Sequence, residues 1–122
     1  MPNFEITKLL TQSNITKKVF LPTQILKHIP IPQGTHFMDL QVKDSMEQVW
    51  TLRLYTRPTG QYPTPVFTVG WLEFVRAKHL QVGDKLIFSG HQVRAADGEL
   101  QMQYRIQVTR TIDLQGQPIS AD

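Results

Sequence analysis

Six cations stand in stretches from which carboxylates are missing. Between Glu5 and Asp39 the lysines are Lys8, Lys17, Lys18 and Lys27, with no acid among them, and between Glu47 and Glu73 the only charges are Arg53 and Arg57. Cations without neighbouring acids suit the holding of a polyanion, lysine as a hydrated point charge and arginine as a planar fork of donors. The acids gather elsewhere, at Asp39, Asp44 and Glu47 and again at Asp84, Asp97 and Glu99. The competing interpretation is an uneven but merely solvated surface.

Nothing in the chain builds a reaction centre. His28, His36, His79 and His91 lack the paired local spacing of common zinc sites, and there is no cysteine to join them. Asp84 falls in a turn and Asp97-Gly98 has hairpin chemistry, so neither reads as a catalytic carboxylate. A phosphate-cradling glycine loop and a serine-nucleophile elbow are both absent. No catalytic residue, metal, cofactor or small-molecule substrate is therefore expected. The lack of cysteine also excludes disulfides and fits a reducing compartment.

At 122 residues, with 40% hydrophobic and 19% charged residues, the chain is expected to fold as one domain around a single core. Its net charge of +3 and pI near 9.4 point mildly to a polyanionic partner. Neither a charged-then-apolar leader nor an apolar run of the roughly 20 residues needed to span a bilayer is visible, so an intracellular, soluble protein without a membrane partner is expected.

Strand-like alternation dominates. Phe4 and Ile6 alternate with Glu5 and Thr7 in a first strand ending near Thr11, and a polar turn follows. Val19-Phe20-Leu21 reads as a second strand stopped by Pro22, after which Thr23 is placed to cap a short helix running to about His28. Phe37 to Lys43 sets Met38, Leu40 and Val42 against Asp39, Gln41 and Lys43. Val49 to Tyr55 sets Trp50, Leu52 and Leu54 against Thr51, Arg53 and Tyr55. Three prolines and a glycine make Thr56 to Pro65 a long loop. Val66-Phe67-Thr68 resumes a strand, and Trp71, Phe74 and Val75 then recur at helical spacing to Lys78. Gly83-Asp84 turns into Lys85-Leu86-Ile87-Phe88, and Leu100 to Thr109 alternates most clearly of all. Trp50, Trp71, Phe74 and Phe88 are expected in the core.

Seven short strands and two short helices cannot bury both faces of a flat layer. A mainly β, seven-stranded open barrel (pseudobarrel) with the two short α-helices at its ends is the natural solution. Residues 1–112 form this domain, and 113–122 read as a frayed C-terminal tail.

The ordered landmarks resemble the plant B3 DNA-binding domain family across most of the chain. They are Leu9-Leu10-Thr11 with Ser13-Asn14-Ile15, Leu21-Pro22, His28-Ile29-Pro30, Trp50-Thr51-Leu52-Arg53, Thr68-Val69-Gly70-Trp71, Phe74-Val75, Lys78, Leu80 and Gly83-Asp84-Lys85-Leu86-Ile87-Phe88. The resemblance implies a pseudobarrel that grips duplex DNA with two loops in the major groove, here about Ser13 to Lys18 and Thr56 to Pro65. Both loops lie inside the acid-free intervals. The first looks shorter than in better-known relatives and the second longer and richer in proline, so base-reading residues do not transfer one for one.

Within these arms Arg57 is the first choice for base reading, because a guanidinium donates two hydrogen bonds to the O6/N7 edge of guanine. A phosphate contact or a solvated loop arginine is the alternative. Thr59, Gly60, Gln61 and Tyr62 supply polar, turning or stacking groups, between prolines that limit the entropy lost on docking, or else simple turn chemistry. Lys17 and Lys18 are expected on phosphates, beside Asn14 and Thr16 as hydrogen-bonding groups. Arg53, Tyr55 and Thr56 lead into the second arm and either brace it or touch the backbone, and Lys8, Arg76 and Lys78 are lesser phosphate candidates.

The function implied is a plant transcriptional regulator in the nucleus with double-stranded DNA as partner. Two alternatives stay open. One is a protein-interaction or dimerisation module on the same barrel. The other is a recognition domain detached from a nuclease, whose chemistry would need another domain.

Overall fold

The computed structural model describes residues 2–32, 34–57, 64–112 and 117–120. Eight strands form one curled sheet: β1 (Phe4–Leu9), β2 (Val19–Phe20), β3 (Phe37–Lys43), β4 (Val49–Tyr55), β5 (Val66–Phe67), β6 (Lys85–Arg94), β7 (Leu100–Ile112) and β8 (Gln117–Ser120). Seven of them follow the order β1-β6-β7-β3-β4-β5-β2, and β8 pairs with β7 off that path. The neighbours are antiparallel except β3 and β7, which meet in parallel at Val42–Tyr104 and Lys43–Arg105. Two α-helices complete the frame, α1 (Gln12–Thr16) and α2 (Trp71–Lys78). The mainly β open barrel expected from the alternation is the fold observed.

The core forms on the concave side of this curl. Val19, Leu52, Leu54, Phe67, Trp71, Phe74, Phe88 and Val108 are completely buried. Each large apolar side chain removed from water in this way contributes about 1.5–3 kcal/mol. Phe88 meets Phe67 edge-on at 5.1 Å between ring centroids, joining two strands far apart in sequence. Trp50 is only half-buried, contrary to expectation. Its ring lies edge-on to Phe74 at 5.3 Å, and its indole Nε1 donates to Asp44 Oδ2 at 2.9 Å. The polar edge of the indole is thus satisfied at the rim of the core.

Several elements differ from their sequence reading. The first strand ends at Leu9, and Thr11 instead caps α1 where a polar turn was expected. The segment after Pro22 is a 3-10 helix, Thr23–Lys27, with Pro22 at the N-cap and no side-chain capping bond, so Thr23 is its first residue and not its cap. β6 runs on to Arg94, well beyond Phe88. The tail is not frayed throughout: Gln117–Ser120 pairs antiparallel with Thr109–Ile112 as β8. An edge strand needs no alternating pattern to hold its backbone bonds and tolerates a proline such as Pro118, which is why the segment carried no signal.

Two buried aspartates lock the connections. Asp44 Oδ1 accepts from the Met46 and Gln48 amides at 2.8 and 2.9 Å, and its Oδ2 takes the Lys78 ammonium at 2.7 Å. The β3–β4 turn is thereby tied to the end of α2. Burial pushes the Asp44 pKa up, but the bonds from Lys78, Trp50, Gln48 and Met46 outweigh it and hold the carboxyl at about 2. Asp84 receives Arg110 through two hydrogen bonds of 2.9 Å each, and its carbonyl accepts from the Leu10 amide at 2.8 Å. The Gly83-Asp84 turn therefore anchors the end of β1.

Candidate nucleic-acid interface

The first arm is built around Asn14. Thr11 and Asn14 form a reciprocal capping box, the Asn14 amide donating to Thr11 Oγ1 at 3.4 Å and the Thr11 amide to Asn14 Oδ1 at 2.9 Å. Asn14 Nδ2 then donates to the Lys18 carbonyl at 3.2 Å, and the Asn14 carbonyl accepts the Trp71 indole Nε1 at 2.7 Å. These four bonds leave Asn14 only 5% exposed. Its side chain holds the arm together from within and offers no free edge to a ligand. Thr16 is exposed, with its hydroxyl turned back onto the Gln12 carbonyl at 2.8 Å. Lys17 and Lys18 are exposed at the end of α1, and the Lys18 ammonium sits 5.4 Å from the centre of the Phe20 ring.

The second arm leaves β4 through Tyr55, Thr56 and Arg57. Thr56 is buried, and its amide donates to the His36 carbonyl at 2.8 Å, so the base of the arm is fixed to the strand before it. Arg57 is exposed. Thr59, Gly60, Gln61 and Tyr62 lie outside the described residues. The arm returns at Thr64 and Pro65, whose carbonyl accepts from the Leu21 amide at 2.9 Å.

Register decides how the arms relate. β5 is antiparallel to both β2 and β4, pairing Phe67 with Val19 and Leu54 and Val66 with Phe20 and Tyr55. β2 and β4 therefore run in the same direction. The first arm precedes β2 and the second follows β4, so they attach at opposite ends of this short ribbon. From Lys18 to Leu21 is three residues, about 10 Å at the rise of a strand.

The ribbon has two distinct faces. Val19, Phe67 and Leu54 are fully buried on the core side. The next register row, Phe37–Tyr55–Val66–Phe20, crosses β3, β4, β5 and β2 and points the other way. Phe37 and Phe20 are about two-fifths exposed at 42% and 40%, Tyr55 is half-buried, and Val66 is buried between them. Beside this row the Arg53 guanidinium lies 4.0 Å from the Phe37 ring centre and binds Asp39 through Nε at 2.8 Å and Nη2 at 3.3 Å.

Lys17, Lys18, Arg53, Tyr55, Thr56 and Arg57 are thus gathered on or beside one ribbon. Lys8 on β1 and Arg76 on α2 stand outside it. Lys78 needs correction as a phosphate candidate: its side chain is 9% exposed and its ammonium is engaged by the buried Asp44 carboxylate. Asn14 needs the same correction as a contact residue, since its amide is consumed within the arm. Phe20, Phe37 and Asp39 share or adjoin this face and were not among the residues singled out from the sequence. The outward position of Phe37, in phase with Asp39 along β3, was a readable signal, whereas the pairing of Asp39 with Arg53 depends on register across strands.

Among the described residues no three His, Asp or Glu side chains are grouped to hold a metal ion, and no helix is long and apolar enough to cross a membrane. A curled half-barrel with two arms leaving a short ribbon is the architecture of a pseudobarrel. The chain belongs to the B3 DNA-binding domain family, whose pattern it matches over residues 6–106. That family comprises DNA-binding transcription-factor domains and is not an enzyme family. The chain is 34% identical over 95 residues to a B3 domain-containing protein of Oryza sativa subsp. japonica, an alignment that covers 73% of this chain and 48% of the rice protein. The chain thus spans about half the length of the curated relative it matches. In fold it is similar to the Arabidopsis FUS3–DNA complex, with a TM-score of 0.61 and 20% identity over 83% of this chain and 93% of that one. It is similar likewise to the Arabidopsis thaliana transcription factor LEC2–DNA complex, with a TM-score of 0.63 and 16% identity over 82% and 88% of the two chains.

Proposed function

We propose that this chain binds double-stranded DNA in a sequence-specific manner, as the DNA-recognition domain of a plant transcriptional regulator acting in the nucleus. The ribbon and its flanking arms form the docking surface. Lys17 and Lys18 contact phosphates and set docking position, while Arg57 selects a base through the guanine O6/N7 edge. Arg53 and Tyr55 line the surface between the arms, Thr16 adds a polar contact from the first arm, and Thr59, Gly60, Gln61 and Tyr62 complete the second. Lys8 and Arg76 serve as outlying phosphate contacts. What supports this reading is the register of β2, β5 and β4, from which the two arms leave opposite ends of one short ribbon in a chain of the B3 family; attachment points about 10 Å apart suit a major groove roughly 12 Å wide. DNA complexes of FUS3 and LEC2, which share the fold, support it.

The test is a titration of the chain against a labelled random duplex pool over a range of salt. Affinity is expected to fall linearly on a logarithmic plot, with a slope of about −0.9 per phosphate neutralised. Sequencing of the retained duplexes is expected to return an enriched motif. Absent or salt-insensitive binding would falsify the proposal.

A further inference from the structure

Among the described residues, Arg53 is held by contacts that Lys17, Lys18 and Arg57 do not make there. Its Nε and one Nη2 hydrogen are given to the Asp39 carboxylate, and its flat face lies on the Phe37 ring. The two strands impose this arrangement. Asp39 is the register partner of Arg53, and Phe37 is the register partner of Tyr55, one diagonal step away on the same face. An arginine has five N–H donors, so three remain, including the end-on pair shared by Nη1 and Nη2. The guanidinium side chain is 34% exposed, and the row of Phe37, Tyr55 and Phe20 runs beside it between the arms.

Charge favours one use of that fork over the other. A carboxylate at 2.8 Å leaves the pair electrically neutral, so Arg53 has little long-range attraction for phosphate, whereas its directional donors are retained. Asp39 also marks the point where the long acid-free interval ends. The Asp39 pKa is lowered mainly by its hydrogen bond from Arg53, so the carboxylate stays charged near neutral pH. A side chain already aligned loses little rotamer freedom on docking.

We propose that Asp39 and Phe37 are positioning residues that make Arg53 a directed reader of a base edge, converting a free-swinging phosphate cation into a fixed fork. The inference rests on the duplex-binding reading given above. Neither positioning residue need touch DNA.

The experiment compares the full chain with its D39N, F37L and R53K variants. Each is titrated at several salt concentrations against a duplex selected from a random library and against a scrambled duplex of equal length. Thermal midpoints report folding, which these solvent-exposed changes are expected to preserve. D39N is expected to weaken the selected duplex about five- to a hundredfold, the scale of one bidentate base contact. It is expected to keep or strengthen scrambled binding and to steepen the salt slope by about 0.9, because a freed cation now neutralises phosphate. F37L moves the same way by less, and R53K loses the selected duplex with the slope unchanged. A ratio of selected to scrambled affinity that is the same in D39N and the unmodified chain overturns the positioning role, as does an equal loss on both duplexes. Failure of the unmodified chain to bind either duplex overturns the duplex-binding reading itself, so the two failures are told apart.

Discussion

The indole Nε1 of Trp71 donates to the carbonyl of Asn14 at 2.7 Å across 57 residues of sequence, joining the first residue of α2 to the centre of the first arm. The same Asn14 holds the arm's start through Thr11 and its end through Lys18. One buried bond thus connects the barrel core with the placement of Lys17 and Lys18. Replacing Trp71 by Phe leaves the Asn14 carbonyl without its donor, at an expected cost of about 1–3 kcal/mol. Urea unfolding measures the loss, and faster amide hydrogen exchange at Lys17 and Lys18 is expected beyond what global destabilisation explains.

Gly70 turns the chain into α2 with φ of +91°, and a Cβ there would collide with the Thr51 carbonyl oxygen. The strand beside it leaves no slack, because the Arg53 amide and carbonyl bond to Val69 and Thr68 at 3.0 Å each. G70A is expected to destabilise by more than about 2 kcal/mol, from the left-handed conformation and the clash together. Gly34 has φ of +88° with open space around it, so G34A should cost about 1 kcal/mol. Equal losses in a denaturant comparison would contradict the steric account.

Asp44 makes stability depend on pH in acid. Its folded pKa of about 2 lies below the ordinary 3.8, so its contribution is complete above about pH 4 and disappears as the pH falls through 2. A depression of that size corresponds to roughly 2 kcal/mol. Asp84, held low by hydrogen bonds from Arg110 and the Gln81 amide against the opposing effect of burial, acts in the same direction. Removing the ammonium in K78M raises the Asp44 pKa and moves the acid transition to higher pH. Unfolding curves between pH 2 and 6, with NMR titration of the Asp44 carboxyl, measure both effects.

The two kinds of arm cation should separate in their sequence dependence. R57A is expected to lose about 1–3 kcal/mol of affinity for the preferred duplex and to relax selectivity at one base pair. K17A/K18A should weaken all duplexes alike and reduce the salt slope by about 2 units. All three residues are exposed, so unfolding free energies should stay within about 0.5 kcal/mol of the unmodified chain. Selection experiments on each variant distinguish a flattened motif from a uniform loss.

Local pattern was enough to determine much of the framework. β3 and β4 coincide with the alternating runs Phe37–Lys43 and Val49–Tyr55, and α2 with the spacing of Trp71, Phe74 and Val75, because each has one face against the core and so repeats with its own period. The family landmarks were legible for a different reason: Gly70 and Gly83 take positive φ, and the Trp71 indole and the Asp84 carboxylate bond to backbone groups, demands that few other residues satisfy. A five-residue α1 has too few turns to show periodicity, and its capping box closes with Asn14 in place of the usual Glu or Gln, so it passed for a turn. Charge spacing marked the arms, but it did not distinguish the exposed Lys17 and Lys18 from Lys78, which is neutralised by Asp44. What only the tertiary structure decided is long-range register: β2 beside β5 beside β4, and Asp39 opposite Arg53. Such pairings join residues whose separation along the chain carries no local energy signature, since they are selected by the packing of the whole barrel.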